Sequence, residues 1–211
     1  IPPLTGWSVS TQGEDNWFMP KDKVQVIQEL SRRQEILHAA IEAFSHNGYH
    51  GGSMEGIARV VGVSKAALYY YFPSKQELLF SIVDEFTGSM IEGLEKISAS
   101  PNRPVKKLRE AFYYHIEALA KRTDEFTVLL EAKFLKGRRK REIIARRDHY
   151  EGLIRKMIQN GVDCGELRVV DAKYAALSFL GVVNWMYQWY RAGQLPPEEL
   201  ARLFWDLTYR G

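Results

Sequence analysis

From about Pro20 onward, apolar residues return every three to four positions, and no stretch alternates apolar with polar residues over the length of a strand. A chain patterned this way buries stripes and not sheet faces, so an all-α fold is expected. The clearest stripe is Ile36, Leu37, Ala40, Ile41 and Phe44, which ends at Asn47-Gly48. Ser31 reads as the N-cap of this helix with Gln34 reaching back, although Val24, Ile27 and Leu30 allow it to extend upstream to Pro20.

The next forty residues read as short helices announced by serines: Ser53 before residues 54–61, Ser64 before 65–72, and Ser74 before a long helix from Lys75. A serine hydroxyl accepts a hydrogen bond from an otherwise orphan N–H of the first turn. Ser74-Lys75-Gln76-Glu77 adds a capping box in which Glu77 answers back, and Val63 with Leu68 makes a hydrophobic staple across Ser64. Between the two short helices stands Gly62, whose missing Cβ permits the left-handed turn that closes one and redirects the chain into the other. The helix from Lys75 carries apolar residues from Leu78 to Ile97, a length suited to bridging two units. Further helices are expected near 104–121, 124–135, 139–159, 172–191 and 197–209, about nine in all, separated by short loops with Gly or Pro.

Composition narrows the classes. At 211 residues a module of about 50 residues can be joined to a larger helical body. The net charge of +3 permits contact with nucleic acid and is too mild to imply it. Cys164 is the only cysteine, so no internal disulfide is expected and a cytoplasmic setting is the default. The longest apolar run, residues 177–183, is stopped by Asn184, short of the roughly 20 residues a membrane span needs. Residues 1–20 lack the basic-then-apolar pattern of a signal peptide and read as part of an N-terminal arm.

A helix, a glycine turn and a second short helix form the geometry that sets one helix in the major groove of DNA while the other crosses the backbone. With Leu68 and Phe72 aimed inward at about 100° per residue, Ala66 and Tyr70 point away and Ala67 and Tyr69 lie on the flanks. Lys65 at the tip can reach a phosphate or a guanine edge, and the small Ala66 lets the helix approach the bases. The hydroxyls of Tyr69 and Tyr70 can bond phosphate oxygens. The first turn after Ser74, helped by Lys75, can hold a phosphate, and Ser53 offers the same on the other side. The plainer alternative leaves the serines as caps, the tyrosines as packing and the lysines in water.

The stretch Gly48-Tyr49, Ser53-Met54, Ile57-Ala58, Gly62-Val63-Ser64-Lys65, Leu68-Tyr69-Tyr70-Tyr71-Phe72 and Ser74-Lys75-Gln76-Glu77-Leu78-Leu79 closely resembles the TetR-family DNA-binding head. The resemblance implies base or phosphate contacts from Lys65, Ala66, Tyr69 and Tyr70, and a phosphate clamp at Lys75. Gly52 departs from the threonine frequent in that family, Ala66-Ala67 from glycine and threonine, and Tyr71 from histidine. The expected organisation is an arm at 1–30, a three-helix helix-turn-helix domain at 31–80, and a ligand-binding and dimerisation domain at 81–211.

In the body, residues 172–191 are apolar nearly all round, from Tyr174 through Leu177, Phe179 and Val183 to Trp185, Met186 and Trp189. Such a helix is buried on two sides, and Leu200, Leu203, Phe204 and Leu207 offer a second stripe. A two-fold four-helix interface follows, against the simpler reading of a monomer's central helix. The TetR resemblance implies dimerisation through the last two helices. The dense aromatics suit a cavity for an apolar effector, drawn from Phe112, Phe126, Phe134, Tyr150, Trp185 and Trp189, with His115, Asn184 or Gln188 to orient it. The cluster Lys133, Lys136, Arg138, Arg139, Lys140, Arg141, Arg146 and Arg147 is either solvated surface or a dock for an anion such as the phosphates of coenzyme A. Arg146-Arg147-Asp148-His149-Tyr150, Gly165-Glu166-Leu167, Asn184-Trp185 and Trp189-Tyr190-Arg191 resemble a TetR subgroup controlling fatty-acid and sterol breakdown. That resemblance implies an acyl-CoA effector.

Other classes fit less well. His46 and His50 are four apart, but Gly48 breaks the helix that would align them on a metal. No nucleophile elbow, Walker loop or dinucleotide fingerprint is present. No enzyme, cofactor or metal is expected. The main expectation is a homodimeric repressor of double-stranded operator DNA released by a small effector; the alternative is a ligand-independent architectural or adaptor DNA binder.

Overall fold

The computed structural model describes residues 21–168, 171–191 and 195–210; of the arm expected over residues 1–30, residues 1–20 lie outside them and residues 21–30 are not an arm but the start of a helix. Nine α-helices and three short helical turns make up the described chain, with no strand among the described residues. Helix α1 spans Lys21–Gly51, α2 Met54–Val61, α3 Lys65–Tyr71, α4 Lys75–Ala99, α5 Pro104–Lys121, α6 Thr123–Leu130, α7 Gly137–Asp163, α8 Ala172–Asn184 and α9 Pro197–Trp205.

Ser31 is not a cap. The helix runs through it to Lys21, continuing the upstream repeat, with the Arg32–Glu35 pair at 2.6 Å on its surface and Arg33 reaching Glu85 of α4 at 2.6 Å. Ile36, Leu37, Ala40 and Phe44 form its buried stripe. At Gly48 the backbone turns left-handed (φ 67°), folding Tyr49 to Gly51 back across the helix end.

Two apolar cores meet along α4. Leu78, Leu79, Ile82 and Val83 enter the head core with the stripe of α1, Met54, Ile57, Leu68 and Phe72. Phe86, Met90, Ile91 and Leu94 enter the body core with residues of α5, α7, α8 and α9. The bridging helix expected from the sequence is therefore present and shared. The head core also takes Val128, Leu135 and Ile143, from α6, the turn after it and α7, so the body supplies part of the packing of the head.

Three helices are shorter than their apolar pattern suggests. The stretch expected at 124–135 divides into α6 and a 3-10 turn, Glu131–Phe134. That expected at 172–191 ends at Asn184 and gives way to a 3-10 turn, Trp185–Gln188. The last closes in a π-helical turn, Asp206–Arg210. Apolar spacing constrains which side is buried, but not the hydrogen-bond register near a helix end.

Candidate functional site

Gly62 (φ 72°) closes α2, and the N–H of Val63 reaches back to the carbonyl of Ala58 at 2.9 Å. Ser64 then accepts from the N–H of Ala67 at 3.0 Å and starts α3. Leu68 and Phe72 are buried, which fixes the rotation of α3 and leaves Lys65, Ala66, Tyr69 and Tyr70 on the open side. Tyr70 is 75% exposed and Tyr69 41%, high values for aromatic residues with no partner element over them. Ala67 is half-buried at the flank. Ser53 is exposed and accepts from the N–H of Gly56 at 3.0 Å, so its hydroxyl is occupied as a cap.

Lys75 is placed differently from the expectation. Its ammonium donates to the carbonyl of His50 at 3.3 Å and lies 4.6 Å from the Tyr49 ring and 5.8 Å from that of Phe44. The Gly48 turn brings Tyr49 and His50 to the first turn of α4, and the resulting loss of water lowers the lysine pKa. The ammonium therefore rests against the end of α1 through a hydrogen bond that remains exposed. Half of the capping box also changes use. Ser74 accepts from the N–H of Glu77 at 3.1 Å, but the Glu77 carboxylate takes two bonds from Arg139 of α7, at 2.6 and 2.9 Å. A bidentate guanidinium outcompetes a single backbone N–H for that carboxylate.

In the body, Phe112, His115, Phe126, Tyr150 and Asn184 come together, joining α5, α6, α7 and the end of α8. His115 is 5% exposed; Tyr150 Oη lies 2.9 Å from its Nδ1 and Asn184 Oδ1 lies 3.1 Å from its Nε2. The carbonyl oxygen of Asn184 can only accept, so Nε2 carries the proton and the Tyr150 hydroxyl donates to Nδ1. Burial holds the imidazole neutral, with its pKa pushed down to about 4, and raises that of Tyr150. In the same body a cavity of about 10 Å³ is lined by Leu119, Thr123, Phe126, Met186, Tyr187 and Tyr190. That is room for about one water.

The other expected ligand residues lie elsewhere. Phe134 stacks on Tyr49 at 5.4 Å, at the junction of head and body. Arg147 and Gln188 are exposed, Trp185 is 62% exposed, and Trp189 packs on Phe204 at 5.7 Å while 37% exposed. Sequence reasoning missed Glu131, whose carboxylate accepts from the N–H of Tyr49 at 2.6 Å across 82 residues of chain. Nothing local to either residue signals that pairing.

Comparison with known proteins decides the family. Residues 36–82 match the model of bacterial regulatory proteins of the tetR family, and residues 101–211 match the tetracyclin repressor-like C-terminal domain. The chain belongs to the TetR family. Members are DNA-binding transcriptional regulators, and the helix-turn-helix of this TetR-family chain corresponds to α2 and α3. It is 33% identical to the TetR-family regulator PfmR of Thermus thermophilus, covering 83% of this chain and 97% of that one, with a TM-score of 0.79. It is 28% identical to AibR, solved in complex with isovaleryl coenzyme A and operator DNA, covering 84% and 98% of the two chains at a TM-score of 0.78. The fatty acid metabolism regulator protein of Bacillus subtilis is 26% identical over 161 residues, 74% of this chain and 82% of that protein. Among the described residues no helix is long and apolar enough to cross a membrane.

Proposed function

We propose that this TetR-family regulator is a dimeric repressor that releases its operator when an acyl-CoA thioester enters the body. On this reading Lys65, Ala66, Tyr69 and Tyr70 face the major groove, Ser53 and Ser64 stand at the phosphates, and Lys75 braces the start of α4 against the end of α1. The His115–Tyr150–Asn184 trio carries the ligand assignment: it is a small polar centre inside an apolar body, and a thioester carbonyl can take the place of the Asn184 oxygen as the acceptor of the His115 Nε2–H. The neighbour bound to isovaleryl coenzyme A and operator DNA supports the effector class.

The apolar cavity of about 10 Å³ must open before it admits an acyl chain, because ligand sites usually occupy about 300–1,000 Å³. The break between α8 and the turn Trp185–Gln188 is where it can yield, since Asn184 sits at that break and Tyr187 lines the cavity. Movement there reaches the head through body residues that pack on it: Val128, Leu135 and Ile143 in the head core, Glu131 on Tyr49, and Arg139 on Glu77. The coupling needed is modest, commonly about 1–3 kcal/mol.

The test is operator affinity with and without saturating acyl-CoA esters of graded chain length. A weakening of about five-fold or more by at least one ester is expected, and an unchanged constant across the series removes this effector class. The small size of that apolar cavity favours one rival, a ligand-independent DNA binder. That rival predicts the same unchanged constant together with no thermal stabilisation by any ester.

A further inference from the structure

A helix-turn-helix head needs positive charge, because a duplex carries one phosphate charge per roughly 1.7 Å of its axis. This head has little. Residues 31–80 hold five Lys and Arg against four Asp and Glu. Of the five cations, Arg32 is paired with Glu35, Arg33 with Glu85, and Lys75 is turned onto the carbonyl of His50, which leaves Arg59 and Lys65 facing water. Residues 131–147 are the opposite: eight Lys and Arg against two Glu, an excess twice the +3 of the whole chain.

That segment is fastened to the head. Arg139 grips Glu77 in the first turn of α4, just after α3 and its exit at Phe72. On the other side the Lys133 ammonium lies 5.0 Å from the Phe134 ring, which is 4.4 Å from the His50 ring, whose backbone carbonyl holds Lys75. The place where the sequence pattern put a phosphate-facing lysine is therefore flanked by body cations. The side chains of Lys136, Lys140 and Arg141 are exposed and make no hydrogen bond or ion pair among the described residues. Arg138 and Lys133 have only partners on their own segment, Glu142 and Glu131.

We propose that the exposed cations at the start of α7, centred on Lys136, Lys140 and Arg141, form a second contact with the phosphates of the duplex, supplying the charge that the head lacks. The proposal rests on the reading that α3 faces DNA. The contact positions the protein and carries no base preference, since flexible cations on phosphates read charge and not sequence.

The test replaces the three residues together, Lys136→Gln, Lys140→Gln and Arg141→Gln, leaving Arg139 on Glu77. A duplex selected from a random pool by the wild-type protein serves as the probe. The slope of log K against log salt should become shallower by about 2–3 per protomer, at about 0.9 per lost contact. Base preference and melting temperature should stay at wild-type values. The charge-keeping set Lys136→Arg, Lys140→Arg and Arg141→Lys should restore the slope. A wild-type slope in the glutamine variant overturns the proposal. So does a wild-type slope with weakened acyl-CoA binding, which reassigns the patch to the phosphates of the coenzyme. Tyr70→Ala, measured alongside, separates the two readings: unimpaired affinity in that variant removes the α3 assignment, whatever the slope of the glutamine variant shows.

Discussion

At Gly52 a Cβ would stand 2.5 and 2.8 Å from two carbons of the Phe44 ring, which is itself buried in the head core. The threonine frequent at this place in the family therefore demands a different seat for Phe44. Gly52→Ala is expected to destabilise the head by about 1–3 kcal/mol through overpacking, read as a lower melting temperature. An unchanged melting temperature would mean that the ring yields freely. His115 gives a prediction with a pH sign. Folding lowers its pKa from 6.5 to about 4 because the imidazolium would have to be buried, with Asn184 only partly opposing the shift. The unfolded chain binds the proton first as pH falls, so this contribution to stability is complete above about pH 6.5 and lost towards pH 4. Its size is about 3 kcal/mol at about 1.36 kcal/mol per pH unit. Urea unfolding of wild type and His115→Gln at pH 7 and pH 4 should show the wild type losing that much more than the variant; parallel losses would place the imidazole in water.

At the scale of elements, what was legible in the sequence is what is decided locally. The starts of α2, α3, α4 and α5 follow from Ser53, Ser64, Ser74 and Pro104, each of which acts within its own first turn, and the end of α2 follows from Gly62. The outward face of α3 was legible too, because Leu68 and Phe72 leave one rotation that buries both. The placement of the residues expected to meet a ligand was legible only in part. Phe112, His115 and Tyr150 are inside, but Trp185, Gln188 and Arg147 face outward, since an aromatic on a helix fits a cavity, a core or a partner equally well until the packing is known. Long-range pairings left no trace, and Glu131 is the case with the largest consequence. Its carboxylate satisfies the N–H of Tyr49 just beyond the Gly48 turn, so the 3-10 turn of the body caps the broken end of α1. Removing it by Glu131→Ala leaves a half-buried donor unmet, at a cost of about 1–3 kcal/mol. Hydrogen exchange at the Tyr49 amide should then accelerate by about ten-fold or more, while amides of α8 keep their wild-type rates. Unchanged protection at Tyr49 would show that the contact holds nothing in place.

For the whole molecule, the described surface leaves a large apolar area open at the end of the body farthest along the chain. Tyr174 and Trp185, on α8 and the turn after it, are 67% and 62% exposed, and Leu177 between them is 44% exposed. Leu203 on α9 and Leu207 in the π-helical turn after it, four apart, are 38% and 76% exposed. Their opposite faces hold Ala176, Phe179, Val183, Leu200 and Trp205 in the body core, so neither element can rotate to hide the outer stripe without exposing the inner one. Burying each such side chain is worth about 1.5–3 kcal/mol, and a second copy placed by a two-fold axis offers the same stripe in return. Two heads joined in that way can reach successive major grooves about 34–36 Å apart, which a single head cannot do. Leu203→Glu with Leu207→Glu sets four carboxylates at such an interface without touching the inner core. Sedimentation equilibrium should then show one chain where the wild type shows two, with the far-ultraviolet helical signal preserved. Operator affinity should fall by about a hundred-fold or more, because the second half-site is no longer bound from the same particle. A variant that still sediments as two chains would move the interface off α8 and α9.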